Sequence, residues 1–223
     1  MTGSRHRAWV FDLDGVVRDF GPGSADAAIE DALGLPRGSV AATAFRPDLV
    51  GPTVTGVRGF DEWFDAVCAA LAAMTPETEP ATGTDPAIRA ERRAATVRRY
   101  MQAWRDHRGE PVAATVEALE RLRHDGRPTY LFTNGTDLIT HELDQLGLSY
   151  LFDAVVNSAV TGLAKPDPAS FAAAHAVIEG HQGRALAPAD VWFTDDRPEN
   201  VAAARAFGWD ASLFTGSVPT LAR

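Results

Sequence analysis

From Pro111 onward the sequence alternates helical patterns with short apolar, β-rich runs, and that alternation leaves few folds open. Residues 112–124 read as a helix closed by Asp125-Gly126, 128–132 as a strand, 137–146 as a helix closed by Gly147, and 154–157 as a short strand. Residues 168–179 are helical, 191–194 a strand, 198–207 a helix stopped by Gly208, and 211–214 a last strand. Such an order implies right-handed βαβ units and a parallel sheet. The expected fold is therefore α/β, a doubly wound parallel sheet.

A further strand belongs to this sheet. In Trp9-Val10-Phe11-Asp12-Leu13-Asp14-Gly15-Val16-Val17 an apolar run ends in two carboxylates followed by a glycine. Side chains at i and i+2 of an extended backbone point to the same side, so Asp12 and Asp14 are expected to converge at the end of a buried strand. A strand that finishes in a polar turn explains the segment equally well.

Between this strand and the alternating region no strand signal is found. Residues 19–23 read as a loop, Ser24 as the N-cap of a helix over 25–33 with Gly34 as its stop, and a short helix follows Pro36. Residues 46–59, rich in Gly, Pro, Thr and Val, read as a loop. Helical spacing of Phe60, Trp63, Phe64, Val67 and Leu71 predicts a helix over 60–74. Residues 75–85 are broken by Pro76, Pro80 and Gly83. A long helix follows over 86–107, its face of Arg89, Arg92, Arg93, Arg98 and Arg99 expected to be solvated. The expectation is a core of residues 1–20 and 110–223 carrying an all-helical cap, 21–109. Ligands of open α/β sheets bind beyond the carboxyl ends of the strands, so an insertion rooted there is expected to act as a lid.

Composition narrows the function. A formal net charge of -9 argues against non-specific binding to nucleic acid or anionic membrane, and an anionic substrate then needs a local positive site such as a metal ion. Cys68, the single cysteine, excludes an intrachain disulfide, and its apolar helical surroundings suggest a buried small residue. Charges interrupt every apolar run before it reaches the length of a membrane span, and a soluble, cytoplasmic protein is expected.

Three expected strands end in polar groups: Asp12 and Asp14, then Thr133 and Asn134, then Asp195 and Asp196, with Lys165 between the second and third. Each has a plain alternative. Thr133-Asn134-Gly135 makes a good turn, Lys165 can be a surface lysine, and Asp195-Asp196 can cap the helix from Pro198. Their coincidence at successive strand ends is harder to dismiss.

In these four segments the chain resembles the haloacid dehalogenase-like hydrolase superfamily. Phe11-Asp12-Leu13-Asp14-Gly15-Val16 is similar to its first motif, Leu131-Phe132-Thr133-Asn134-Gly135 to its second, Lys165-Pro166-Asp167-Pro168 to its third and Asp195-Asp196-Arg197-Pro198-Glu199-Asn200 to its fourth. The insertion resembles the helical cap that one branch places after the first motif. The resemblance implies a phosphatase acting on a small phosphorylated metabolite. Asp12 would attack phosphorus to form an aspartyl-phosphate, and Asp14 would protonate the leaving oxygen and then activate water. Thr133, with neighbouring amides and Asn134, would bind phosphoryl oxygens, and Lys165 would hold both Asp12 and the phosphate. Asp12, Asp196 and the main-chain carbonyl of Asp14 would hold Mg²⁺, with Asp195 in support. Asn200 and Asp167 would orient the fourth motif and Lys165. Arg18 is less usual beside the first motif and is expected to contact substrate or to pair with Asp19. In the cap, Arg46 and Arg58 are candidates for the leaving group.

A dehalogenase of the same fold needs neither Asp14 nor the full acidic fourth motif. A phosphonatase or phosphomutase reuses the whole core and differs in the cap, and a non-catalytic module that kept the fold is the remaining alternative.

Overall fold

The computed structural model describes residues 6–21, 25–76 and 85–218. The expected cap Ser24 and most of the expected break over 75–85 lie outside the described residues. In chain order the elements are β1 (Ala8–Phe11), β2 (Arg18–Asp19), α1 (Asp26–Leu33), α2 (Ser39–Ala44), α3 (Pro47–Val54), α4 (Phe60–Met74) and α5 (Pro86–Asp106). There follow β3 (Glu110–Pro111), α6 (Ala113–His124), β4 (Thr129–Thr133), α7 (Ile139–Gln145), β5 (Ala154–Asn157) and α8 (Ser158–Thr161). The chain ends with α9 (Pro168–Gln182), β6 (Val191–Asp195), α10 (Pro198–Phe207) and β7 (Asp210–Leu213).

Five strands form a parallel sheet in the order β5-β4-β1-β6-β7. Because successive side chains of β1 alternate between faces, Val10 joins one apolar cluster while Trp9 and Phe11 join the other. On Val10's side lie Tyr130, Phe132 and Phe193 with Phe171 and Ile178 of α9 and Val201 and Ala204 of α10. Against Trp9 and Phe11 lie Leu131 and Trp192 with Leu119 and Leu122 of α6 and Ile139 and Leu143 of α7. Burial on both faces explains why these strands read as continuous apolar runs. With β1 central, flanked by β4 and β6, the sheet order reverses at β1, where doubly wound folds open their ligand crevice.

The chain divides into two compact units: residues 1–20, 54–57 and 109–223, which hold the sheet, and residues 21–53 and 58–108, whose described elements are all helices. The division differs from the expected one at 54–57 and at Gly109, which group with the sheet. The backbone of Gly56 runs so close to that of Ala159 that a Cβ would lie 2.1 Å from the Ala159 carbonyl oxygen.

Within the helical unit, α4 buries Phe60, Trp63, Phe64, Val67, Cys68 and Leu71, as its period predicts. The Trp63 ring packs on Phe60 and Trp104 with centroids 5.5 Å apart in each case, and its indole N–H donates to the Ala44 carbonyl at 3.0 Å. The guanidiniums of Arg98 and Arg105 lie over the Phe64 ring and pair with Asp65 and Asp61, so part of the arginine face of α5 covers apolar surface. Burial pushes the Cys68 thiol up to about 11, which suits an inert packing residue.

Two expectations are corrected. Residues 46–59 are not all loop, because α3 runs through them despite Gly51 and Pro52. Pro47 presets the first helical turn, Asp48 complements its positive end, and the Thr53 hydroxyl donates to the Leu49 carbonyl at 3.2 Å. The flanks of the insertion also carry strand structure. β2 and β3 pair antiparallel, Arg18 opposite Pro111 and Asp19 opposite Glu110, too short a ribbon to leave a periodic signal. No helix among the described residues is long and apolar enough to cross a membrane.

Candidate active site

The first strand ends at Phe11, earlier than the apolar pattern suggests, so Asp12 and Asp14 do not lie on one extended segment. The Asp12 N–H still donates to the Thr194 carbonyl at 3.0 Å, which fixes Asp12 at the mouth of the sheet. The chain then folds into a tight turn in which the N–H groups of Val17 and Arg18 converge on the Leu13 carbonyl at 2.8 and 2.9 Å. Gly15 makes that turn possible. Its φ of 82° lies in the left-handed region, and a Cβ there would sit 2.3 Å from Asp196 Oδ2. The missing side chain lets the turn and the Asp196 carboxylate approach each other.

Lys165 is almost wholly buried, and all three of its N–H donors are used: Asp12 Oδ1 at 2.8 Å, Asp195 Oδ2 at 2.7 Å and the Phe132 carbonyl at 2.8 Å. Burial works against its charge, but Asp12 and Asp195 outweigh burial and raise its pKa. Asp12 Oδ2, in contrast, takes no hydrogen bond from a described residue. Burial pushes the Asp12 carboxyl up to about 7, against the lowering effect of Lys165 and with further raising from Asp195 and Asp14.

Asp195 is fully buried and saturated. Its Oδ1 accepts from the Arg197 N–H at 2.9 Å and from Asn200 Nδ2 at 3.0 Å, and its Oδ2 accepts from Lys165 and again from Asn200 at 3.0 Å. Asn200 thus bonds to both oxygens of Asp195 in the fourth motif. Asp196 is exposed, yet partial burial and the neighbouring Asp195 raise its pKa. Asp12, Asp195 and Asp196 bring a carboxylate oxygen each to within 4.8 Å of one another. Three carboxylates gathered around one ammonium leave an excess of negative charge, and their hard oxygen donors suit a divalent cation such as Mg²⁺. With Asp195 saturated, Asp12 and Asp196 have the freer oxygens for it.

Two other expected residues have different local work. Asn134 uses both ends of its side-chain amide on the main chain of Lys165, donating to its carbonyl at 2.7 Å and accepting from its N–H at 2.8 Å. Asp167, expected to orient Lys165, caps α9 by accepting from the Ala169 N–H at 2.8 Å. Thr133 is buried at the end of β4. In the helical unit, Arg46 is occupied by Asp48 at 2.5 and 3.0 Å, whereas Arg58 Nη1 is buried without a hydrogen-bond partner among the described residues.

Arg18 departs most from expectation. It is buried between two carboxylates, its Nε donating to Asp14 Oδ1 and its Nη1 to Glu142 Oε2, each at 2.7 Å. Burial disfavours the guanidinium charge, but Asp14 and Glu142 more than offset it and raise the pKa. Glu142 escapes the sequence reading because it resembles any surface acid of a helix. Its place between Ile139 and Leu143, both on the buried face of α7, is the available signal.

The fold and these four converging segments define a hydrolase of the haloacid dehalogenase-like class, and residues 6–208 match that family. The chain belongs to it. Among individual proteins, it is 31% identical over 111 residues to the sesquiterpene phosphatase astK of Aspergillus oryzae, covering 49% of this chain and 54% of the relative. The match thus spans about half the length of that curated relative. A HAD family enzyme from Bacteroides thetaiotaomicron, solved in complex with magnesium and inorganic phosphate, superposes with a TM-score of 0.67 at 16% identity over 96% of this chain and 97% of the other. The L-2-haloacid dehalogenase of Xanthobacter autotrophicus gives a TM-score of 0.57 at 24% identity, covering 93% and 77%.

Proposed function

We propose that this chain is a Mg²⁺-dependent phosphomonoester hydrolase that works through an aspartyl-phosphate on a small phosphorylated metabolite. The observation that carries the reading is the state of Asp12, buried at the mouth of the sheet with Oδ1 held by Lys165 and Oδ2 free of partners among the described residues. A carboxylate so held presents one oxygen for attack in a fixed direction. Lys165 offsets the repulsion between Asp12 and an incoming phosphate, and Asp195 and Asn200 keep the ammonium and the fourth motif in place. Mg²⁺ held by Asp12, Asp196 and the Asp14 carbonyl would supply the remaining positive charge for the phosphoryl oxygens. Thr133 and adjacent amides bind those oxygens. Asp14, on its turn beside Asp12, gives its proton to the leaving oxygen and later takes one from the water that hydrolyses the intermediate.

The phosphatase named among the relatives supports this reading, as does the neighbour solved with magnesium and phosphate. The dehalogenase neighbours share the fold at low identity. Displacement of halide from carbon calls for neither a proton donor nor a cation, whereas this chain has Asp14 and a carboxylate cluster that could hold a cation. The test is phosphate release from 4-nitrophenyl phosphate with Mg²⁺ and after exhaustive chelation. Turnover is expected with Mg²⁺ and is expected to disappear in chelator. Full turnover in chelator would contradict the mechanism.

A further inference from the structure

We propose that Arg18 is a positioning residue for Asp14, selecting which carboxylate oxygen carries the transferred proton. The inference rests on the reading of Asp14 as acid and base. An arginine buried this deeply is an expensive way to brace a turn, since its charge must be desolvated and then compensated. Arg18 is compensated by Asp14 on one side and Glu142 on the other. The rest of its surroundings allow little movement. Its guanidinium lies 4.9 Å from the Phe20 ring centroid, its backbone carbonyl accepts from the Gly15 N–H at 2.7 Å, and its side-chain carbons crowd Gly109, where a Cβ would lie 2.9 Å from Arg18 Cγ.

The chemistry follows from the donor inventory. Guanidinium has N–H donors and no acceptor, so the oxygen it holds, Asp14 Oδ1, must face it as an acceptor. When Asp14 is protonated, the proton therefore sits on Oδ2, which has no hydrogen bond to a described residue. As Asp12 Oδ2 bonds to phosphorus and the bond to the leaving oxygen breaks, that proton passes to the leaving oxygen. Asp14 then remains a carboxylate for the water step. Glu142, in the first turn of α7, anchors the guanidinium that does this.

The experiment measures kcat/KM for 4-nitrophenyl phosphate and phenyl phosphate at saturating Mg²⁺ in the parent, Arg18→Gln, Arg18→Lys, Glu142→Gln, Asp14→Asn and the Asp14→Asn/Arg18→Gln double variant. Nitrophenolate leaves with little need of a proton, and phenolate needs one. A displacement of about 1 Å can cost about 10²-fold in rate, so Arg18→Gln is expected to lose roughly 10–100-fold more on phenyl phosphate than on 4-nitrophenyl phosphate. Arg18→Lys, which keeps the charge but cannot reach both carboxylates in the same fork, and Glu142→Gln are expected to fall between. They carry the test if Arg18→Gln does not fold. In the Asp14→Asn background, removal of Arg18 is expected to leave the ratio between the substrates unchanged, the non-additivity of residues acting as a unit. Equal losses on both substrates, or a ratio that still shifts without Asp14, would overturn the inference. Failure of the underlying reading looks different: the parent then shows no Mg²⁺-stimulated turnover, or Asp14→Asn leaves the ratio at the parent value, and the inference falls with it.

Discussion

With Asp12, Asp195 and the Phe132 carbonyl occupying its three donors, Lys165 cannot leave its place without stranding two buried carboxylates. Removing one partner of a buried ion pair typically costs about 3–5 kcal/mol, because the remaining charge is left uncompensated. Lys165→Met is therefore expected to lose roughly that much stability in urea unfolding, together with its activity. Added Mg²⁺ is expected to restore part of the stability but none of the turnover, since the cation can offset charge without replacing the amine. A variant that unfolds at the parent's urea midpoint would show that the buried carboxylates are neutral without help. At this scale the sequence pointed to most of the residues that meet, because Asp12, Asp195 and Asp196 stand at or next to strand ends, whereas Lys165 comes from the loop between α8 and α9. It did not show their hydrogen bonds. The double use of Asn134 on Lys165 and the Arg18–Glu142 pair arise from segments far apart in the chain, which spacing alone cannot bring together.

Elements were legible where a period or a cap set their bounds. Phe60–Met74 and Pro198–Phe207 are helices with the bounds that apolar spacing and flanking glycines imply, and Ala154–Asn157 is the expected strand. α3 was hidden because Gly51 and Pro52 lower helix propensity, while side-chain and terminal contacts sustain the helix. The arginines at either end of this stretch separate on the same grounds. Arg46 is exposed and tied to Asp48, whereas Arg58 holds a buried N–H group without a partner among the described residues. If the helical unit selects the leaving group, alanine at Arg58 is expected to change the ranking of a phosphomonoester panel, while alanine at Arg46 leaves it within about twofold, as surface substitutions usually do. Specificity constants across the panel decide this. An equal response of every substrate to both changes would remove that segment from selection.

At the scale of the whole molecule, the parallel sheet with helices on both faces brings three separate segments of sequence to one edge, and the Lys165 loop between two of them completes the charge pattern. The alternation of elements makes this arrangement readable in the sequence, since parallel strands present their carboxyl ends together. Residues 54–57 were less readable, because their grouping with the sheet depends on a close backbone approach at Gly56 that has no sequence period. The central claim is that Asp12 carries phosphate during turnover. Asp14→Asn retains the nucleophile and loses the acid and base, a change that typically costs about 10²–10⁴-fold in rate. With 4-nitrophenyl phosphate, rapid quench of this variant is expected to show a burst of nitrophenolate without matching phosphate release, and peptide mapping of the quenched protein is expected to place the phosphate on Asp12. No burst together with parent-like turnover, or a covalent phosphate on any other residue, would contradict the account.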